Sequence, residues 1–445
     1  MNKIKTLSEG SFLKLLFAFL SACFLIGAVC MPDRGTMFTG LWKILITPCK
    51  VTTNYFSVGG YAATFLNMGL VGLTGLLLFV VFKGTPNNAS TLAVILTMGF
   101  GSWGINILNI WPTVFGVMVY CLVKRDKFGA NVNAMLFSTG IAPLITELLV
   151  RYPGTEVIGF NWIGLGLALA VGFVIGFFLP AGLTHSPKVH KGFDLYSAAL
   201  PIGMTAFLLN ATLYKTMGLD VGKLPLLSDM TVASGTITNI FCCTVFGLCI
   251  LLALLLGCKP KDYWRLLTDP ALVTNFSSTY GNATFLMNVG VYGLFILGYY
   301  NLIGASFNGV TFGIIFCMLA TCNSGSHPGN VWPIMLGYVA ASTLCGWIAP
   351  LVGGNFTFQV NAQAIMVGLC YANGLSPIAD KYGWHYGFIA SVLHYLLVTS
   401  VPSLHGGFCL YNGGFTAALI CLILVPELER FFRTKEERRA VKAKQ

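Results

Sequence analysis

One block of sequence occurs twice, each time inside a long apolar run, and it limits this chain to few architectures. The copies are Gly104-Ile105-Asn106-Ile107-Leu108-Asn109-Ile110-Trp111-Pro112-Thr113-Val114-Phe115-Gly116 and Gly325-Ser326-His327-Pro328-Gly329-Asn330-Val331-Trp332-Pro333-Ile334-Met335-Leu336-Gly337. Both read Gly, then Asn or His, then Asn-x-Trp-Pro-x-x-x-Gly. Amide, imidazole and proline groups at membrane depth are costly unless each is partnered. A polar helix breaker in that position therefore needs a reason.

The surrounding sequence fixes the setting. Hydrophobic residues make up 56% of the chain and charged ones 9%, with a mean hydropathy of +0.77. Apolar runs of about 20 residues, enough to cross about 30 Å of hydrocarbon, recur from Phe12 to Pro426 with short polar links between them. The expected class is an all-α integral membrane protein. The +11 formal charge sits in the links and the tail, so it reads as orientation in a bilayer and not as nucleic-acid binding. The 14 cysteines lack ligand spacing and read as small buried hydrophobes, with no metal and no cofactor expected. Lys3, Lys5 and Lys14 ahead of an apolar run ending Gly27-Ala28-Val29-Cys30 imitate a signal peptide. Cleavage is not expected, because Val29 is too large for a lipoprotein-type cut and the matching run at about 237 to 257 is internal.

Other landmarks repeat in the same order. Trp42, Pro48 and Val51 precede Ala63-Thr64-Phe65-Leu66-Asn67; Trp264, Pro270 and Val273 precede Ala283-Thr284-Phe285-Leu286-Met287-Asn288. Gly140-Ile141-Ala142-Pro143 matches Gly374-Leu375-Ser376-Pro377, and His190-Lys191-Gly192-Phe193-Asp194-Leu195-Tyr196 matches His405-Gly406-Gly407-Phe408-Cys409-Leu410-Tyr411. The chain thus divides into a first membrane repeat, 1–220, and a second, 221–445, with a short basic tail.

Each repeat holds five plausible spans: about 12 to 30, 58 to 82, 131 to 150, 160 to 180 and 194 to 215, then about 237 to 257, 283 to 301, 361 to 379, 385 to 401 and 408 to 426. Each also holds a broken or re-entrant hairpin, about 89 to 123 and 309 to 344, split by the Trp-Pro block. Counting the hairpin arms or not gives 10 to 14 crossings in total. The number per repeat is odd either way, so the repeats have inverted topology. With the N-terminus in the cytoplasm, Lys83, Lys124, Arg125, Lys127, Lys188, Lys191, Lys259, Lys261, Arg265, Lys381 and the Arg430 to Lys444 tail fall inside. Arg34, Lys43, Lys50, Arg151, Lys215 and Lys223 fall outside.

The Ala-Thr-Phe-Leu, Asn-x-Trp-Pro and Gly-x-x-Pro landmarks resemble a bacterial family of multi-spanning membrane proteins known as a duplicated domain of unknown function. The resemblance spans nearly the whole chain. It implies a bacterial cytoplasmic membrane, with both termini cytoplasmic by the charge argument, and brings no substrate. At fold level a five-plus-five inverted repeat is similar to urea and ammonium channels, and seven plus seven is similar to nucleobase transporters; the residue motifs of neither are present.

Candidate binding residues cluster at the breaks. Asn106, Asn109, Trp111, His327, Asn330 and Trp332 lie on the repeated block, and Asn67, Asn288, Thr64 and Thr284 lie one span upstream. They offer neutral donors and acceptors, and the bland alternative is that they partner one another. Glu147 is the one carboxylate well inside an expected apolar run and is the coupling candidate, against an ion pair with Arg151 one turn on. His190, His405, Tyr196, Tyr411 and His394 read as structural, and Asp194 as a charge at a helix start.

These features point to a transporter or channel for a small polar solute, neutral or zwitterionic, held at the midplane between inverted repeats. No catalytic residues and no enzymatic activity are expected. The alternatives are an ion channel or ion-coupled transporter using helix termini, a membrane-embedded lipid-modifying enzyme, and a non-transporting scaffold or sensor. The expected partners are the lipid bilayer and an unknown solute or ion, and a homo-oligomer is compatible with the sequence.

Overall fold

The computed structural model describes residues 7–154, 156–222, 231–268 and 275–444. Lys3, Lys5, Lys223, Pro270 and Val273 lie outside the described residues. Within them the chain is helix and loop, with no strand. Among the described residues, seven helical stretches are long and apolar enough to cross a membrane, Val132–Val150 counted as one, and the chain is a multi-pass membrane protein.

The elements form one series that occurs twice. The first series is α1 (Glu9–Cys30), α2 (Met37–Ile46), α3 (Tyr55–Gly59), α4 (Tyr61–Val81), α5 (Asn88–Phe100), α6 (Trp111–Lys124), α7 (Val132–Ser138), α8 (Ala142–Val150), α9 (Trp162–His190) and α10 (Ala199–Asn210). The second is α11 (Thr231–Leu255), α12 (Pro260–Thr268), α13 (Phe276–Tyr280), α14 (Asn282–Leu302), α15 (Gly309–Leu319), α16 (Pro328–Leu351), α17 (Gln363–Ala372), α18 (Ser376–Tyr382), α19 (Trp384–Val398) and α20 (Asn412–Phe431). A tail helix, α21 (Lys435–Lys444), follows, and Arg438 donates to the Tyr382 carbonyl.

The same local chemistry starts matching helices. Asn54 accepts from Phe56 N at the head of α3, and Asn275 accepts from Ser278 N at the head of α13. Gly60 and Gly281, at φ +90° and +86°, turn the chain into α4 and α14 through a conformation that L side chains resist. Asn87 with Ser90, and Asn308 with Thr311, form reciprocal capping boxes on α5 and α15.

Packing repeats too. α1 lies along α4 as α11 lies along α14, and α6 along α9 as α16 along α19. Between the repeats, α5 crosses α15 at the centre of the core. A Cβ on Gly99 would stand 2.8 Å from the Gly313 carbonyl oxygen, and one on Gly313 would stand 2.4 Å from that of Gly99. Only two glycines allow backbones this close.

The expected spans agree with the helices to within a few residues, with three corrections. The breaks precede the Trp-Pro pairs and are not made by them. The first occupies 101–110, and α6 begins at Trp111 with Pro112 in its first turn, where a proline sacrifices no helical bond. The second lies between Leu319 and Pro328, and α16 runs through Pro333 without interruption. The fourth span extends to His190, giving a 29-residue helix of about 43 Å. The fifth begins late: residues 191–198 are not helical, yet Phe193, Leu195 and Tyr196 are buried. This loop is packed inside protein, which is one of the settings that stabilise irregular backbone in a membrane protein.

Several short helices had no sequence-based expectation, α2 and α12 among them. α2 buries Gly40, Leu41 and Ile44 while leaving Phe38 and Trp42 exposed, and α12 buries Leu266 while exposing Trp264. Both are short, two-faced helices suited to a membrane interface.

Candidate functional site

The asparagines among the candidate residues, Asn67, Asn106, Asn109, Asn288 and Asn330, meet at the two breaks, and their amides are spent on the local backbone and on one another. Asn67 Nδ2 donates to the carbonyls of Gly101 (2.7 Å) and Ile105 (2.8 Å), and its Oδ1 accepts from Ile107 N (3.3 Å). Asn288 Nδ2 donates to the carbonyls of Cys322 (2.8 Å) and Ser326 (3.0 Å). Asn109 Oδ1 accepts from Asn106 N, as Asn330 Oδ1 accepts from His327 N. Asn109 Nδ2 bonds the Gly104 carbonyl and Thr146 Oγ1; Asn330 Nδ2 bonds the Gly325 carbonyl and Asp380 Oδ2. An interrupted helix leaves carbonyls and amides free, and buried asparagines take them up.

The remaining candidates have local partners of their own. Asn106 Oδ1 accepts from Leu108 N and Asn109 N, Thr64 Oγ1 donates to the Gly60 carbonyl, and Trp111 Nε1 donates to the Ile107 carbonyl. His327 Nδ1 accepts from Gly329 N. Thr284 lies beside the Cys258 thiol, and Trp332 stacks on Trp384. Asn109 and Asn330 belong to separate clusters and share no partner, so a solute held between those two amides finds no support in the geometry.

Glu147 is wholly buried and meets Arg151 through two bonds, from Nε (2.8 Å) and Nη2 (2.6 Å). This is the ion-pair alternative. Arg151 Nη2 and Lys50 Nζ both donate to the Gly222 carbonyl. Burial pushes the Lys50 ammonium below its ordinary value, with the Glu147 carboxylate acting the other way.

The open space lies elsewhere. A cavity of about 380 Å³ sits where the head of α5 (Asn88, Ala89), α7 (Asn133) and the irregular 191–198 loop (Asp194, Ser197) of the first repeat meet Ser324 from the break of the second. Leu92, Phe137 and Leu183 supply apolar wall. At about 30 Å³ per water it has room for about a dozen waters or one small solute. Ser324 Oγ donates to Asn88 Oδ1 (2.9 Å), joining the repeats across it. Through Asn133 the cavity adjoins a larger open depression of about 790 Å³ rimmed by Lys83 and Lys127.

Two residues that line the cavity also carry a buried acceptor with no hydrogen-bond partner in the protein: Asp194 Oδ2 and Asn133 Oδ1. Asp194, 2% exposed, spends Oδ1 on Tyr196 N and leaves Oδ2 unbonded. The loop carrying it is braced by His190. Its Nδ1 accepts from the backbone N–H groups of Gly192 and Asp194, so in the neutral ring Nε2 carries the proton and donates to Ser197 Oγ. His405 makes the same brace to Cys409 N and Asn412 Oδ1. Tyr196 then reaches the core, donating to the carbonyls of Cys317 and Cys370.

The counterpart space in the other repeat is filled. By the alignment that pairs Trp111 with Trp332, Ser324 corresponds to Trp103, Leu92 to Gly313 and Asn88 to Gly309, while Asp194 corresponds to Cys409. Trp103 is wholly buried, and its ring lies against Gly313, 3.0 Å from where a Cβ would stand. Sequence reading placed Asp194 at a helix start; α10 begins five residues later, at Ala199. The available signal was divergence between the copies, since Asp194 and Ser324 are where matched stretches cease to match.

A family model described as "Protein of unknown function (DUF1576)" matches residues 34–215 and again residues 259–430. The chain belongs to that family. Two matches to one model, one in each half, are also what the repeated helix series requires of a duplicated DUF1576 protein. No curated protein and no solved structure matches the chain.

Proposed function

We propose that this DUF1576 protein carries a small polar solute, neutral or zwitterionic, across a cytoplasmic membrane through the junction of two inverted repeats. The observation that carries the reading is the cavity between the repeats, lined by apolar and polar side chains, together with its plugged counterpart. In an inverted pair, equivalent spaces lie toward opposite faces, so one open and one filled space describe a carrier open to one side.

Contacts between helix ends support the inversion. Glu9 at the head of α1 accepts from Asn275 and Ser277, Leu7 from Asn282, and Asn87 from Asn133. These residues share a face with the head of α5 and the link after α6. At the other ends, Val51 N donates to the Gly407 carbonyl, Asn210 to that of Leu404, Gly309 N to Asn54, and Asn308 to Gln363. Following the chain between the two groups supports a reading of seven crossings per repeat when α5, α6, α15 and α16 are counted, the upper end of the 10 to 14 expected. The head of α1 and the end of α20 then share the face rich in Lys and Arg, which supports reading that face as cytoplasmic.

The test is uptake of a panel of small polar solutes into proteoliposomes. Wild type is expected to move at least one, and Ser324→Trp, which copies Trp103 into the open cavity, is expected to abolish that movement. Absence of flux for every solute would refute transport, and unchanged flux in folded Ser324→Trp would remove the cavity from the path.

A further inference from the structure

We infer that the open depression rimmed by Lys83 and Lys127 is a binding site for an anionic phospholipid, its phosphate between the two ammonium groups and an acyl chain along the end of α4. The site is distinct from the solute cavity, and the inference does not rest on transport.

Its position fits a lipid. α4 ends at Val81, and the depression, about 790 Å³, lies where that helix gives way to the 82–87 link and meets the link that follows α6. Leu77, Val80 and Val81, near the end of α4, are each more than half exposed, and Val81 lines the depression. On a membrane-spanning helix such a surface faces hydrocarbon, and lipid phosphates stand just beyond it. Lys83 follows two residues after Val81. The apolar surface and the cations therefore come in the order in which a phospholipid presents its chains and its phosphate.

The side chains left for a ligand are donors. No Asp or Glu lines the depression, and neither lysine is in an ion pair among the described residues. Asp126, next to Lys127 in sequence, is not part of the lining. Asn87 Oδ1 is taken by Ser90 N and Asn133 Nδ2, and Asn133 Oδ1 is buried. Two ammonium groups that face one space without a counter-charge are satisfied by an anion placed between them, and a phosphate accepts from both.

The fold holds the two lysines on one depression. The Phe82 and Phe128 rings pack at 5.1 Å. A Cβ on Gly84 would stand 2.8 Å from the Gly129 carbonyl oxygen, and one on Gly129 would stand 2.4 Å from that of Phe82, so the two links touch backbone to backbone. Lys83 itself sits at φ +54°, a left-handed helix end that favours glycine. By the alignment that pairs Asn87 with Asn308, its counterpart is Gly304, at φ +71°. The first repeat thus places a cation where the backbone prefers no side chain. The link after α16, residues 352–362, carries no charged residue, so only the first repeat has the pair.

The test is native mass spectrometry of the purified full chain in neutral detergent, titrated with phosphatidylglycerol or with phosphatidylcholine. Phosphatidylglycerol is expected to bind at least about tenfold more tightly. Lys83→Gly, which copies Gly304 and relieves the left-handed backbone, and Lys127→Gln are each expected to weaken it about fivefold, and the double variant about 25-fold, as one cation near a lipid headgroup contributes. Lys261→Gln, which removes the same charge from α12 on the face read as cytoplasmic, is expected to change it by less than about twofold. Melting curves show that the variants are folded. Equal binding of the two lipids, unchanged phosphatidylglycerol binding in the folded double variant, or an equal loss in Lys261→Gln, the mark of diffuse surface charge, would overturn the inference. Inorganic phosphate binding as tightly as phosphatidylglycerol, and lost in the double variant, would also overturn it, because the occupant would then be a soluble anion.

Discussion

The asparagines at the breaks make a stability prediction with a built-in control. Asn67→Ala removes two donors held at 2.7 and 2.8 Å to the Gly101 and Ile105 carbonyls, and an acceptor held at 3.3 Å by Ile107 N. Asn67 is wholly buried, so water does not replace these bonds. Side-chain hydrogen bonds in membrane proteins average about 0.6 kcal/mol and reach about 1.7, whereas stranding a buried polar group costs about 1 to 3. Two short bonds lost with their partners stranded therefore come to about 2 to 3 kcal/mol. Asn288→Ala loses the same two donors, at 2.8 and 3.0 Å, but its Oδ1 serves only Tyr263 OH at 3.4 Å. Its cost should be lower, about 1 to 2 kcal/mol. Asn67→Asp, which turns a carboxylate on two carbonyls, should be worse than alanine. Equilibrium unfolding of the three variants in mixed micelles measures the order, and limited proteolysis at residues 101–110 locates the damage. Both alanine variants within about 0.5 kcal/mol of wild type, or Asn288→Ala as the more damaging, would refute the account of the breaks.

Two further outcomes follow from the same packing. Arg151→Met leaves the Glu147 carboxylate buried without its partner and should cost about 3 to 5 kcal/mol, while Glu147→Gln combined with Arg151→Met should recover most of it; the double-mutant cycle, read by unfolding, checks this. If Glu147 instead couples transport to protons, Glu147→Gln will change the pH dependence of flux and leave stability intact. Gly313→Val places a Cβ 2.4 Å from the Gly99 carbonyl oxygen, so it should prevent α5 from crossing α15 and yield no monodisperse protein. Size-exclusion chromatography of the detergent extract decides that case.

The large features were legible in the sequence because they are governed by length and charge. Apolar runs bounded by Lys83, Lys124 or Lys259 give helix ends to within a few residues, and the order of matched landmarks gave the repeated series before any contact was known. The breaks were found but misplaced by several residues, because proline was read as the cause of the interruption. Pro112 instead sits in a first turn, and Pro333 is carried inside α16. Helices α2 and α12 went unseen because each is too short and too mixed in character to stand out as a span. The cavity was the least visible feature. The asparagines carry a polar signal in sequence, yet burial and hydrogen bonding consume that signal within each break. Asp194 looked like an ordinary charge at a helix start, and only the fold shows the chain running non-helically for four residues beyond it. The difference between Ser324 and Trp103 can be read by alignment. Its meaning needs the knowledge that Leu92 stands opposite one and Gly313 opposite the other.

The central claim is that the repeats form opposed, equivalent spaces and that Ser324 against Trp103 decides which is open. The most direct test exchanges them, in Trp103→Ser/Ser324→Trp, and follows cysteine reporters at matched positions, Ala89→Cys and Val310→Cys, with the exposed Cys30 and Cys243 replaced by serine. A membrane-impermeant maleimide is applied from each side of oriented vesicles. In the unexchanged protein the account predicts labelling of the reporter at 89 from the face bearing the termini and protection of the reporter at 310. In the exchanged protein it predicts labelling at 310 from the opposite face. A folded exchange variant in which position 310 stays protected, or reacts from the same face as position 89, would contradict it.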